Sequence, residues 1–520
     1  MQVPPKGIEK VEMIREMNSS RSSCTSSLTI LVALLVGLTL LPSAYAQSLT
    51  GKWAGVDKIM DNGQPHKMIL EMQQSGNDLT GTVKSLGFSL EITGKATGNH
   101  FELFADGDKK PFLIGDLMGS DLHVVTWGTD SMVAKPAAAD DQIPTVKYID
   151  PPALHKVPSN GLAKTPPMGW NSWNKFQDKI DDATVRATAD VMVSSGMRDA
   201  GYIYLNIDDT WEGVRDAKGV LPANHKFPDM KALADYVHSK GLKLGIYSSP
   251  GPATCAGYPG SYGHEEQDAK TWAAWGIDYL KYDWCSAATV YKAKDLQPIY
   301  QKMGDALAAS GRPIVYSLCE YGLGEEQKWG PDVSANLWRT TGDINDSWES
   351  MSTIAFSQGP LAPYAAPGHW NDPDMLEIGN GHMTEDEYRT HMSMWSLLAS
   401  PLLAGNDIRS MTPATKDILL NKEVIAIDQD SLGKQATRLS GNGDVETWSR
   451  PLADGSVAVG VFNRGAAATN ATVNVSDLKL SGAVKARDLW AHKDVSSSSG
   501  AFTASVPSHG VFLLRVSATR

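Results

Sequence analysis

Along residues 167–407 the chain keeps returning to one device, a short apolar run that stops on a polar or acidic side chain. It does so at Trp170-Asn171, Ile207-Asp208-Asp209, Ile246-Tyr247, Tyr282-Asp283, Tyr316-Ser317, Trp338-Arg339 and Trp370-Asn371-Asp372. Between the stops lie stretches with apolar residues recurring at three and four positions, which predict helices over 183–195, 229–240, 265–275, 296–310 and 384–398. Gly196, Gly241, Gly276 and Gly311 end four of them. The short gap between Ser317 and Arg339 leaves room for only a stub of helix. With an eighth strand over 398–403, ending at Gly405-Asn406-Asp407, the alternation predicts a (β/α)8 TIM barrel with its functional groups on one rim. An open doubly wound sheet is the alternative, but no glycine-rich phosphate loop follows the first strand.

At 520 residues the chain is too long for one ordinary core. Short alternating segments separated by Gly, Asn and Asp predict an N-terminal antiparallel β domain over 48–135. A Pro- and Ala-rich linker or surface strap over 136–158 leads into the catalytic barrel over 159–421, and returning strand patterns predict a C-terminal β-sandwich over 422–520. The fold class is thus multidomain, α/β and all-β. Net charge of −12 without a basic patch excludes nucleic acid as a partner, and neutral substrates fit best.

Residues 28–41 form an uncharged apolar run followed by Ala44-Tyr45-Ala46, the pattern of a signal peptide over 1–46 cleaved near Ala46. The run is too short to span a bilayer comfortably. A secreted or periplasmic protein with no membrane partner after cleavage is the expectation, and an uncleaved anchor is the alternative. Cys24 precedes the run, where no lipoprotein cysteine would sit. Of the remaining cysteines, Cys255 lies in a loop after one candidate strand and Cys285 two residues beyond Asp283, on the same rim, so these two are expected to form a disulfide and leave Cys319 free.

Two acids delivered by strand ends are the apparatus of glycoside hydrolysis. Asp283 suits the nucleophile, with Lys281 two residues away on the same strand face expected to hold its pKa down. Asp343, in a loop near Trp338, is expected to have a pKa raised by partial burial, as an acid needs. Asp208 and Asp209 would accept hydrogen bonds from sugar hydroxyls. Metal ligation competes for them, but no His or Cys cluster accompanies the pair, and no metal or other cofactor is expected. Trp173 and Trp211 offer apolar faces for a pyranose, and Tyr247, Arg339 and Asp374 complete the polar lining.

Six ordered segments, 167–173 (PMGWNSW), 207–211 (IDDTW), 242–247 (LKLGIY), 254–261 (TCAGYPGS), 278–285 (DYLKYDWC) and 370–375 (WNDPDM), resemble the signatures of glycoside hydrolase family 27, the α-galactosidases of the melibiase type. The resemblance covers about 166–515. It implies a (β/α)8 barrel, a C-terminal antiparallel β domain, and retaining double displacement without metal. It makes Asp283 the nucleophile and Asp343 the acid/base, sets Asp208 and Asp209 on O4 and O6 of galactose and Trp173 against the ring, and completes the subsite with Lys281, Tyr247, Arg339 and Asp374. The family's rim disulfide falls on Cys255 and Cys285. The segment 316–322 (YSLCEYG) is similar to the loop that faces the sugar 2-position, where Cys319 and Tyr321 would fill the space of an N-acetyl group; the family commonly has Trp at Tyr321. The activity implied is exo-hydrolysis of terminal α-D-galactosyl residues from oligosaccharides or galactomannans. α-N-Acetylgalactosaminidase or β-L-arabinopyranosidase activity, or galactoside binding without hydrolysis, are the alternatives. The segment from Ser48 to Lys135 lies outside the resemblance. It reads as a carbohydrate-binding module, a lipocalin-like small barrel or a packing scaffold, and Trp53 and Trp127 do not decide among them.

Overall fold

The computed structural model describes residues 48–105, 110–126 and 130–519. The expected signal peptide, Cys24 and Trp127 lie outside the described residues. Among the described residues no helix is long and apolar enough to cross a membrane.

The described residues up to Thr145 fall in one compact unit. Strands β1 (Gly51–Ile59), β2 (Pro65–Ser75), β3 (Asp78–Lys84), β4 (Ser89–Thr97), β5 (His100–Ala105), β6 (Leu113–Met118), β7 (Asp121–Thr126) and β8 (Asp130–Pro136) form an antiparallel meander. Pairing of Trp53 with Pro136 closes it into a barrel, which matches the small-barrel reading. Leu70, Val83, Phe101, Leu103, Leu113 and Leu122 fill the interior without exposed surface. Trp53 is buried and donates its indole N–H to Leu49 O at 3.1 Å, so it serves the core and offers no platform. A bulge between Val56 and Lys58 accompanies Asp57, whose Oδ1 lies 2.8 Å from His66 Nδ1. Ser85 Oγ lies 2.8 Å from His66 Nε2. This relay is sealed from solvent, with Ser85 only 4% exposed, and it satisfies a buried histidine.

Residues 146–519 form the second unit. Its first segment is the expected strap: Ile149 N donates to Tyr262 Oη, His155 N to Gln301 Oε1 and Val157 N to Asp332 O. Eight parallel strands follow, β9 (Met168–Asn171), β10 (Tyr204–Asn206), β11 (Lys243–Ser248), β12 (Tyr279–Asp283), β13 (Val315–Cys319), β14 (Leu337–Arg339), β15 (Trp370–Asp372) and β16 (Leu402–Ala404). They pair in chain order, and β16 returns to β9. The seam between β15 and β16 is made just past the strand end, where Leu376 pairs with Ala404 and donates to Leu403 O at 2.8 Å. Helices Asp182–Ser194, Met230–Ser239, Glu265–Trp275, Leu296–Ala309 and Glu385–Leu398 sit where periodicity places them, the first two capped by Asp181 and Asp229. Only 3-10 turns join β13 to β14, as the short gap requires.

Three expectations need correction. The eighth strand is β16, later than 398–403, because the preceding helix runs to Leu398 and Ala399 turns left-handed before Pro401. A helix over Trp348–Ser357 was not predicted. The helix Lys422–Asp428 contributes Val424, Ile425 and Ile427 to the barrel core, so the C-terminal domain begins past Asp428 rather than at 422.

That domain carries a six-stranded sheet of β17 (Thr437–Asn442), β18 (Val445–Pro451), β19 (Val457–Asn463), β21 (Val484–Asp488), β22 (Lys493–Val495) and β24 (Val511–Ala518). It is faced by a pair, β20 (Thr469–Asn474) with β23 (Ala501–Val506). Val459, Val461, Val473, Phe502 and Leu514 fill the space inside. The opposite side of the large sheet gives Trp448, Ala458, Phe462 and Leu513 to the barrel's own core. Leu397 of the barrel comes so close to β19 that a Cβ on Gly460 would lie 2.9 Å from its tip. Barrel and sandwich therefore share one interior and should unfold together. Leu397→Ala is expected to cost about 2–5 kcal/mol and to lower one calorimetric transition common to both. Two separate transitions, only one of them shifted, would refute the shared core.

Candidate active site

The ladder register builds the site. It pairs Tyr247 with Lys281, Asp283 with Cys319, and Arg339 with Asp372. Lys281 and Asp283, two apart on β12, project to the same side. Asp283 is 4% exposed. Tyr321 Oη donates to its Oδ1 at 2.6 Å and Tyr247 Oη to its Oδ2 at 3.2 Å. Burial pushes its carboxyl up to about 6, although Lys281 and the Tyr321 hydroxyl pull the other way. The expected depression by Lys281 is thus reversed. Lys281 makes its ion pair with Asp208 at 2.9 Å, and burial of Asp283 outweighs what remains.

Asp343 departs from expectation in the opposite sense. Burial does raise its carboxyl, but the Arg339 guanidinium and the Lys281 ammonium outweigh burial and hold it below its usual value. Arg339 Nη2 lies 3.0 Å from Asp343 Oδ1 and 2.9 Å from Asp374 Oδ2, and it donates to Thr341 O at 3.2 Å. Asp374 also accepts from Ile344 N at 2.9 Å, fastening the loop that carries Asp343 to the end of β15.

The four carboxyl oxygens of Asp208 and Asp209 all accept from N–H donors. Asp208 takes Asp209 N, Asn171 Nδ2 and the Lys281 ammonium; Asp209 takes Thr210 N and Ala256 N. A donor-rich environment suits acceptors of hydroxyl groups better than ligands of a cation. Burial pushes Asp209 up to about 7. Cys255, Asp283 and Cys285 lie close enough to hold an ion, but the two cysteines are joined in a disulfide, as expected, and offer no thiolate. The sulfurs back the tyrosines that hold Asp283: Cys285 Sγ lies 3.0 Å from Tyr247 Oη and Cys255 Sγ 3.4 Å from Tyr321 Oη.

Trp173 opens a helical turn after β9 and is half-buried. Trp211 is not a platform. It has no exposed surface, packs edge-on against Trp275 and donates to Tyr247 O at 2.9 Å, so it supports β11. Cys319 also lacks exposed surface. Its sulfur faces Arg339 Nη1 at 3.7 Å, so in this arrangement it shapes the wall through Arg339 instead of meeting a sugar directly. Sequence reasoning missed three contributors. Asp372 is buried near Arg339, its carboxyl pushed up to about 6 by burial. Asn171 orients Asp208 at 2.8 Å. Glu320 binds the amides of the Tyr321 turn. Asn171 and Asp372 could have been found as strand-end residues in the motifs already singled out.

Comparison with known proteins agrees with this geometry. The family model described as Alpha galactosidase A matches residues 165–430, and the Alpha galactosidase C-terminal beta sandwich domain matches 442–516. An alpha-galactosidase of Cyamopsis tetragonoloba is 51% identical over 356 residues, 67% of this chain and 85% of that protein. The crystal structure of a candidate alpha-galactosidase from Bacteroides fragilis superimposes with a TM-score of 0.67 at 34% identity, covering 90% of this chain and 92% of that one. The Saccharomyces cerevisiae alpha-galactosidase with raffinose gives 0.64 at 30% identity, covering 69% and 99%. With both family models matched in order and this identity over two thirds of its length, the chain belongs to glycoside hydrolase family 27 and is a glycoside hydrolase of the α-galactosidase (melibiase) type.

Proposed function

We propose that this α-galactosidase is a secreted exo-enzyme that removes terminal α-D-galactosyl residues from oligosaccharides or galactomannan side chains with retention of configuration. The observation that carries the mechanism is the contrast between its two acids. Asp283 is buried and held at both oxygens by tyrosine hydroxyls, whereas Asp343 is about one third exposed and tethered by one arginine. A fixed carboxylate suits attack on the anomeric carbon, and a more exposed one suits proton exchange with leaving group and water.

In this scheme an Asp283 oxygen attacks the anomeric carbon while Asp343 gives its proton to the departing glycosidic oxygen. Asp343 then takes a proton from water, which attacks the galactosyl ester and frees α-galactose. Asp208, Asp209 and Lys281 would hold the sugar's hydroxyls, Trp173 its apolar face, and Arg339 with Asp374 would keep the Asp343 loop in place. Tyr321, with Cys319 in the wall beside Arg339, would narrow the site at the sugar's 2-position and favour galactose over N-acetylgalactosamine. Filling the site with sugar would strip water from Asp343 and raise its pKa, turning a carboxylate held low in the empty site into an acid. The yeast relative solved with raffinose, itself an α-galactoside, supports the substrate class.

Hydrolysis of an aryl α-galactoside tests the scheme. Asp283→Ala is expected to lose at least about 10⁴-fold in kcat, the scale on which a nucleophile acts, and wild type should yield α-galactose as the first anomer seen by proton NMR. A β-anomer first, or an active Asp283→Ala, would reject the mechanism. Asp343→Asn should lose about 10²–10⁴-fold on galactosides with poor leaving groups and less on activated aryl substrates; equal losses would remove Asp343 from the acid role. The reacting pair needs one proton between them, and in the free enzyme Asp283, pushed up to about 6, carries it while Asp343 is held low, so kcat/KM should fall as pH rises through about 6. An alkaline limb near the ordinary carboxylate range would contradict the burial argument.

A further inference from the structure

Tyr321 reaches Asp283 because the backbone around it is held in an unusual shape. Its own φ is +65°, a region that costs a non-glycine residue. At Gly322 there is no room for a side chain, since a Cβ would lie 2.2 Å from Thr340 O. The carboxylate of Glu320, 1% exposed, ties the turn: Oε1 accepts from Gly322 N at 3.1 Å and Oε2 from Gly324 N at 2.6 Å. Behind it sits Glu326, with no exposed surface. Burial, then the neighbouring Glu320 carboxylate, push the Glu326 carboxyl up to about 10, so it stays neutral at ordinary pH and sets no second charge against Glu320.

We propose that Glu320 is a positioning residue for the nucleophile: by clamping the 320–324 turn through two glycine amides it sets the Tyr321 hydroxyl on Asp283. The inference rests on the reading of Asp283 as nucleophile. The groups facing Asp283 are Lys281 of its own strand, Tyr247 of β11, Cys319 of β13 with Tyr300 behind it, Tyr321, and the carboxylates of Asp343 and Asp208. Of these only Tyr321 is carried by the Glu320 turn. A hydroxyl donating to a carboxylate favours its charged form, so losing that donor should raise the Asp283 pKa and loosen its aim.

The test uses full-length enzyme and an aryl α-galactoside, with kcat and KM measured across the alkaline limb for wild type, Tyr321→Phe, Glu320→Gln and the double variant. Glu320→Gln is nearly isosteric but puts an N–H donor where one glycine amide needs an acceptor. Each single variant is expected to move the limb of kcat/KM upward by roughly one pH unit and to lower kcat roughly tenfold or more, with the double variant no worse than Tyr321→Phe. An unmoved limb in Glu320→Gln, or losses that multiply in the double variant, would overturn the proposal. If thermal unfolding shows Glu320→Gln misfolded, Glu320→Asp, charged but one methylene short of the two amides, is judged by the same criteria. An active Asp283→Ala would instead reject the nucleophile reading, so the two failures are distinguishable.

Discussion

Two buried cations hold the rim together. The side chains of Lys281 and Arg339 are 15% and 3% exposed, and around them lie the carboxyl groups of Asp208, Asp283, Asp343, Asp372 and Asp374, with Asp209 behind Asp208. Six acids facing two bases out of water cannot all be charged cheaply. Burial raises Asp209 to about 7, Asp283 and Asp372 to about 6, and Asp374 as well although Arg339 pairs with it, while Asp343, against Arg339 and partly exposed, is held low. The linkage signs differ accordingly. The raised acids favour the folded state at low pH, and that contribution is lost as pH rises through 6 to 7; Asp343 favours it above the ordinary aspartate range and loses this as pH falls through its depressed value.

A second layer fixes what the cations do not. Asp283 is oriented by two hydroxyls, and each hydroxyl rests on one sulfur of the same disulfide, so an oxidised pair of loops backs the proposed nucleophile. Strained backbone gathers at the same rim. Thr210, Tyr321 and Asp374 have φ of +82°, +65° and +85°, beside Asp209, Asp283 and Arg339 respectively. Such conformations persist only where surrounding bonds over-determine them. Here the bonds are visible: Asp209 and Glu212 accept from Thr210 N, Glu320 grips the Tyr321 turn, and Asp372 accepts from Asp374 N.

The catalytic barrel was legible because strands buried on both faces read as apolar runs whose polar stops mark one rim. Asp208, Asp283, Arg339 and Asp374 could be gathered from such stops. Their protonation could not, since it depends on which of several chain-distant charges wins against burial. Trp211 was misjudged for the same reason: sequence position places a residue at the rim without saying whether it faces the opening or the packing behind it. The late start of β16 hinges on one left-handed residue, Ala399, which no local signal announces. In the N-terminal segment the strands were readable, but closure rests on β8 meeting β1 across the whole domain, a pairing that no periodicity encodes.

The uneven protonation of the rim has a use in the proposed reaction. In the empty site near neutral pH, the proton that the Asp283–Asp343 pair can share favours Asp283, because Arg339 stabilises charge on Asp343. Catalysis needs the reverse arrangement. An entering galactoside would cover the exposed part of Asp343, weakening its solvation, while the Asp283 charge stays supported by two hydroxyls and by Lys281. The energy of binding the sugar would then be used partly to move one proton across the site, and a ligand too small to cover Asp343 would bind without arming it. In the proposed reaction the tether to Arg339 would make this coupling possible: it would keep Asp343 ionised until the substrate arrives, and close enough to act once it has.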